Sequence, residues 1–166
     1  SQQGKGRFLR EIPISQLGED KQEEMSKNLE RYSLYEAYEV RQVLETKAMD
    51  LIVRNATDSD LDEIETAYQT MLLRFAETNT TTGEFELHQL YAKKTGSVFM
   101  EQTLNIVLST ILEMMHTTSH NVMDMHQVEE EKADHRRIID ALHKRDSSAA
   151  QQAMYDHIQH TLDILQ

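Results

Sequence analysis

Apolar positions in residues 129–165 recur at intervals of three and four, which predicts two helices joined by a short polar turn. His135 lies on the apolar stripe of the first helix, and His157 lies on that of the second. Their neighbours on these stripes are Ile138, Ile139 and Leu142 in the first helix, and Ala150, Ala153, Met154, Thr161 and Ile164 in the second. Because such stripes face the core, the hairpin directs two imidazoles into one interior.

The same periodicity predicts four helices upstream of this hairpin. They cover about residues 33–55, 57–78, 84–94 and 98–115, and a breaker cluster separates the second from the third. The predicted buried faces are Ala37, Val40, Leu44, Ala48 and Leu51 in the first helix, Leu61, Ile64, Tyr68, Met71, Leu72 and Phe75 in the second, and Met100, Leu104, Val107, Leu108, Ile111 and Met115 in the fourth. Short polar side chains are predicted to cap three helix starts, namely Thr57 or Ser59, Ser97, and Asp146 or Ser147.

Glycine and proline are scarce along the chain. The single proline is Pro13, and after Gly18 the only glycines are Gly83 and Gly96, which lie where one periodic segment gives way to the next. Residues 1–20 differ, because they contain a short strand-like alternation followed by a linker-like stretch. The distribution predicts an all-α domain preceded by the edge of a larger unit.

Composition narrows the possible functions. A chain of 166 residues with 39% hydrophobic residues can bury the core of one domain. It contains no cysteine, so a metal site would have to use histidine and carboxylate ligands. Its formal net charge of -12 would repel phosphate backbones, so we do not expect this chain to bind nucleic acid by itself. We see no apolar run of membrane-spanning length and no signal peptide, and we expect a cytoplasmic protein.

Four side chains are candidate metal ligands. Glu84 and His88 are four residues apart, so they project from one face of the third helix. With His135 and His157 they provide three imidazoles and a carboxylate on the inner sides of three helices, a set that suits zinc or nickel. The alternative is that the histidines are buried and merely hydrogen-bonded, and spacing alone favours this alternative.

Arg41 also has two interpretations. It lies one position off the predicted inner stripe of the first helix, with Glu45 four residues later. The simpler interpretation is a surface ion pair that contributes roughly 0.2–0.5 kcal/mol. The other is a cationic clamp at the edge of a pocket. Spacing alone favours the surface pair.

Several segments occur in a characteristic order between residues 34 and 165. They are Glu39-Val-Arg-Gln-Val-Leu-Glu45, Glu84-x-x-x-His88, His135-x-x-Ile-Ile-x-Ala-Leu142, Asp146, Ala150 and Met154-x-x-His157. Together they resemble the effector-binding C-terminal domain (FCD domain) of the FadR subfamily of GntR transcription regulators. The 22-residue step from His135 to His157 is the most specific part of the resemblance. Gly4-Lys-Gly-Arg-Phe8 is similar to the last strand of the winged helix-turn-helix domain that precedes this module.

The resemblance implies a fold and a function. The expected fold is an antiparallel bundle of six or seven helices over residues 21–166, enclosing a ligand cavity, with residues 1–20 as a remnant of the wing and a linker. The expected function is ligand sensing and homodimerisation in a regulator whose N-terminal domain, absent from this chain, binds DNA.

The resemblance also assigns the site. It implies that Glu84, His88, His135 and His157 hold a divalent metal to which a small organic acid binds, and that Arg41 faces the pocket. The family usually has aspartate where Glu84 stands and asparagine where Ser97 stands.

Two rival functions remain. The first is a metal-free effector-binding or dimerisation bundle of the same regulator type, in which the histidines satisfy one another. The second is a metalloenzyme, because three histidines and an open coordination position can activate water. We do not expect an enzyme, since the sequence shows no convincing general base beside the cluster and Glu84 is already used as a ligand.

Overall fold

A computed structural model describes the backbone of residues 19–78, 83–118 and 125–165, and side chains within 32–77, 83–115 and 128–165. Over this part of the chain there are six α-helices and no strand. They are α1 (Glu19–Asn55), α2 (Asp58–Thr78), α3 (Glu84–Lys94), α4 (Val98–Thr118), α5 (Met125–His143) and α6 (Ser147–Leu165). The all-α prediction is confirmed. The predicted strand near the N-terminus falls outside the described residues.

Helix α1 is the central element of the bundle. It packs against α3, α4, α5 and α6, while α2 packs against α3 and α5. The predicted faces of α2 and α4 are buried or half-buried as expected, because their apolar side chains repeat with helical spacing. Helices α3, α5 and α6, which carry the predicted ligands, are therefore held around one side of α1.

The predicted inner face of α1 is correct at Ala48, which is buried, and wrong at Val40, while Ala37, Leu44 and Leu51 are only half-buried. Val40 is 51% exposed, whereas Arg41 and Glu45 are each 1% exposed. The buried residues of the described part of α1 and its C-terminal end are Leu34, Tyr38, Arg41, Gln42, Glu45, Ala48, Met49, Ile52 and Ala56. An apolar pattern assigns charged side chains to the surface, so it cannot identify a helix face that carries an ion pair into the core.

Three predicted caps are confirmed. Thr57 Oγ1, Ser97 Oγ and Asp146 Oδ1 each accept a hydrogen bond from the backbone N–H three residues later, at 3.2, 3.3 and 2.9 Å. Each bond satisfies a donor that the first turn of a helix leaves unpaired. These caps set the starts of α2, α4 and α6.

The C-terminal hairpin is also as predicted, with Ile164 the exception at 44% exposure. Arg145, between α5 and α6, adopts φ 54°, and its guanidinium donates to the backbone oxygen of Ala56 at 2.6 Å. This bond ties the turn to the C-terminal end of α1. Helices α5 and α6, which carry His135 and His157, are thereby fixed against α1, which carries Arg41.

Candidate metal centre

The four predicted ligands lie together in the core. Glu84 and His88 come from α3, His135 from α5 and His157 from α6, and none is more than 3% exposed. One ligand atom from each of the four lies within 4.8 Å of those from the others. Side chains from three separate helices therefore form one compact donor cluster, which can hold a metal ion.

The separations within the cluster suit a single ion. His88 Nε2 lies 3.2 Å from His157 Nε2, and Glu84 Oε1 lies 3.5 Å from the first nitrogen and 3.8 Å from the second. Nitrogen and oxygen ligands lie about 2.0–2.2 Å from zinc, so neighbouring ligand atoms are roughly 3–4 Å apart. Glu84 therefore reaches both imidazoles despite its longer arm.

Two of the imidazoles are oriented by partners on the side away from the cluster. The Nδ1 atom of His88 makes a short hydrogen bond with Glu45, and that of His135 lies 3.3 Å from the hydroxyl of Tyr91. Such outer partners hold a histidine ring in place, and a carboxylate partner such as Glu45 favours a proton on Nδ1, which leaves the Nε2 lone pair free to bind a metal. The Nε2 atom of His135 has no hydrogen-bond partner in the described part of the structure.

His157 has a similar arrangement. Its Nδ1 atom lies 3.7 Å from Asp134 Oδ2, and Asp134 is in turn bonded to His160 at 2.8 Å and to Arg137. The Nε2 atoms of His88 and His157 face each other at 3.2 Å. A cation between them would be bound by both nitrogens, so the donor set fits a metal ion.

Burial keeps two of the histidines neutral. It lowers the pKa of His135 well below its usual value, and the nearby His157 and His88 lower it further. It also lowers the pKa of His157, against the opposing effect of the nearby Asp134 carboxylate. A metal ligand must be an unprotonated nitrogen, so both rings are in the state that coordination needs.

The carboxyl of Glu84 is kept ionised. Burial alone would raise its pKa, but the neighbouring His88 and the charge of Arg41 outweigh burial and lower it to about 2. The cluster therefore offers one anionic oxygen together with the neutral imidazoles of His135 and His157.

Arg41 is part of the cluster's wall. Its Nε donates to Glu45 at 2.6 Å, and its NH2 lies 3.5 Å from Glu84 Oε1. The guanidinium carbon is 5.2 Å from the ring centroids of both Tyr38 and Phe85. The prediction that Arg41 and Glu45 form a surface ion pair is wrong, because both side chains are buried. Arg41 lies instead at the edge of the cluster, beside Glu84.

Sequence reasoning did not place four residues beside the ligands, namely Glu45, Tyr91, Glu131 and Asp134. Three of these four are carboxylates, and they lie next to His88 or His157. Helical spacing could have indicated two of them, since Glu131 precedes His135 by four residues and Glu45 follows Arg41 by four.

Comparison with known proteins settles the family. The profile of the FCD domain matches residues 36–160. The chain belongs to the FCD domain family. The HTH-type transcriptional regulator LutR of Bacillus subtilis (strain 168) is 24% identical over 168 residues, a match that covers 98% of this chain and 75% of LutR.

Two solved structures share the fold. Streptococcus agalactiae GntR superposes with a TM-score of 0.69 at 20% identity, over 91% of this FCD chain and 63% of that protein. E. coli McbR/YncC gives a TM-score of 0.64 at 16% identity, over 78% and 62%. This chain therefore spans less than two thirds of either protein.

The FCD assignment decides between the broad function classes. LutR is a transcriptional regulator, and together with the FCD match this makes the chain a ligand-sensing regulatory domain and not an enzyme. Membership of the FadR subfamily stays a prediction. None of the helices in the described ranges is long and apolar enough to cross a membrane.

Proposed function

We propose that this FCD domain senses a small carboxylate effector through a divalent metal held by Glu84, His88, His135 and His157. The observation that supports it best is the meeting of four buried donor atoms within 4.8 Å. Zinc or nickel is the proposed ion, because the donors are imidazole nitrogens and a carboxylate oxygen. When bound, the ion supplies coordination positions for an oxygen ligand.

Arg41 is proposed to add positive charge where the effector's carboxylate approaches. Its guanidinium lies beside Glu84 and contacts the rings of Tyr38 and Phe85, which hold it in position. Of its two carboxylate partners, Glu84 belongs to the cluster and Glu45 is bonded to the cluster residue His88. Movement of Arg41 towards an effector would therefore change contacts of both carboxylates. This coupling supports Arg41 as the residue that reports effector binding.

The metal-free alternative leaves one atom unexplained. If the histidines only satisfied one another, each inward nitrogen should have a hydrogen-bonding partner, yet His135 Nε2 has none in the described part of the chain. Buried polar atoms without partners are rare. This orphaned nitrogen favours the metal-bound alternative.

The proposed regulator works as a homodimer in the cytoplasm, and its N-terminal domain carries the DNA contacts. Residues 1–20 are proposed to be the wing remnant and linker of that domain. Effector binding would favour one arrangement of the dimer and so change the spacing of its two DNA-binding heads.

Helix α4 is the proposed dimer contact. Val98, Phe99 and Ile106 are 69%, 82% and 68% exposed, and α4 has only two charged residues between positions 98 and 115. The hydroxyls of Thr103 and Thr110 donate to backbone oxygens of their own helix, both at 2.8 Å. In a chain with net charge -12, this nearly uncharged face is where a second copy is repelled least.

Metal titration tests the proposed site. The His135→Ala protein should bind zinc at least about a hundredfold more weakly than the parent by competition with a chelating dye, because one of four ligands is lost. The matched control is His143→Ala, which removes an exposed histidine from the same helix and should leave zinc affinity unchanged. Equal zinc binding by the His135→Ala protein and the parent would reject the site.

A further inference from the structure

The proposed metal ligands are shielded from solvent on the sides that face α1 and α3. None of the four is more than 3% exposed. Their partners on these sides, Arg41, Glu45 and Tyr91, are each no more than 1% exposed. A hydrated cation that crosses packed side chains loses its water, which is costly unless other ligands replace that water. Loading of the cluster is therefore fastest along a row of ligand atoms that begins at the surface.

Such a row starts on α6. His160 follows the proposed ligand His157 by three residues, and its side chain is 43% exposed. Its Nδ1 atom lies 2.8 Å from Oδ2 of Asp134, a residue that is only 2% exposed. The same oxygen lies 3.7 Å from Nδ1 of His157. One half-exposed imidazole and one buried carboxylate thus connect solvent with the edge of the cluster in two short steps.

Glu131 continues the row towards the ligand atoms. It is 5% exposed, and its Oε2 lies 3.5 Å from His157 Nδ1 and 3.8 Å from His135 Nε2. The Nε2 atom of His135 is one of the proposed ligand atoms. Every step from His160 inward therefore offers a nitrogen or a carboxylate oxygen, which are donor types that zinc and nickel accept.

An exposed arginine occupies the outer oxygen of Asp134. Arg137 donates from NH2 to Asp134 Oδ1, and its side chain is 56% exposed. Ion pairs of exposed side chains are weak, because water competes with them. The guanidinium therefore balances the charge of Asp134 and can give way to a dication at His160.

We propose that His160 and Asp134 form a loading site, the place where a divalent cation is first bound on its way into the cluster. His160 binds the cation at the surface, Asp134 balances its charge as water is lost, and Glu131 leads from there to His135. The loading site sets the rate at which the cluster exchanges metal and has little part in the final affinity. This inference rests on the proposed metal site.

Stopped-flow mixing of the metal-free chain with zinc tests the loading site. His160→Gln keeps a polar side chain at the surface but removes the imidazole. Zinc association and dissociation should both slow about tenfold, the lower end of the effect that charged clefts have on rates of entry. Zinc affinity, measured by dye competition, should stay unchanged, because both directions use the same path.

Two further variants change the same row in opposite directions. Asp134→Asn removes the charge in the middle of the row and should slow association more than His160→Gln does. Arg137→Gln frees one oxygen of Asp134 and should speed association by up to about fivefold, the factor that an exposed ion pair contributes. His143→Gln, which alters an exposed histidine at the end of α5, is the matched control and should behave as the parent.

The outcomes separate the loading site from the metal cluster. An unchanged association rate in His160→Gln would overturn the loading site. A lower affinity that arises only from faster dissociation would also overturn it, because that result indicates a residue that merely supports His157. Slower association in Arg137→Gln would contradict it as well. Unchanged zinc affinity in His135→Ala would instead reject the cluster itself.

Discussion

At the scale of single residues, the site depends on partners that orient the imidazoles. His88 and His135 each have Nδ1 against a second side chain, Glu45 and Tyr91 respectively. These contacts place Nε2 inward and hold the ring before any ion arrives, which reduces the entropy lost on binding.

Removal of the Tyr91 hydroxyl tests this orientation. Tyr91→Phe should weaken zinc binding about tenfold, because His135 Nδ1 loses its hydrogen-bonding partner while the buried ring keeps its packing. Tyr155→Phe, which removes a hydroxyl from a side chain that is 44% exposed, is the control. Zinc affinity measured by dye competition should fall only in the first variant, and an equal affinity in both would show that Tyr91 has no orienting role.

The ligands were accessible to sequence reasoning, whereas their partners mostly were not. Glu84, His88, His135 and His157 could be named because imidazoles on apolar stripes and a four-residue pair are visible in the sequence. Tyr91 and Asp134 depend on how α3, α5 and α6 pack, and no local pattern contains that information.

At the scale of helices, the turn between α3 and α4 fixes the position of Glu84 and His88. Gly96 has φ 68°, and Asn55 at the end of α1 donates through Nδ2 to the backbone oxygen of Thr95 at 2.8 Å. A Cβ atom at Gly96 would lie 3.3 Å from Asn55 Cβ. The end of α1 therefore presses closely on a turn that requires a left-handed backbone.

Replacement of this glycine should loosen the turn. Gly96→Ala is expected to lower the free energy of unfolding by about 1–2 kcal/mol, since an L side chain is strained at this φ and crowds Asn55. Urea denaturation gives the measurement, and Lys93→Ala on the exposed side of α3 is the control. A Gly96→Ala protein as stable as the parent would contradict the strain inferred here.

Helix α1 shows where sequence-based prediction of elements fails. Its existence and C-terminal end were predicted, but its inner face was not, because Arg41 and Glu45 take positions that apolar side chains usually hold. The helices α2 to α6 carry no buried cation at their centres, and their limits and faces follow the apolar pattern closely. The error therefore coincides with the proposed effector site.

At the scale of the whole molecule, the proposed homodimer gives a direct prediction. The double variant Phe99→Glu and Ile106→Glu places two carboxylates on the exposed face of α4, where two copies would bring four like charges together. Light scattering after size exclusion should show a dimer for the parent and a monomer for the variant, with zinc affinity unchanged.

An exposed leucine on another helix provides the control. Leu73 on α2 is 65% exposed, and Leu73→Glu should remain dimeric. A dimeric double variant, or a monomeric Leu73→Glu protein, would remove α4 from the proposed interface.

The length of α1 has a mechanical consequence. The helix is continuous from Glu19 to Asn55, so Arg41 beside the cluster and Glu19 at its far end belong to one rod, separated by 22 residues or about 33 Å. A tilt of about 5° pivoting at Arg41 would displace the end at Glu19 by about 3 Å. A shift of about 1 Å around the bound acid would therefore become a larger displacement at Glu19. The segment that precedes Glu19 would move with that end of the helix.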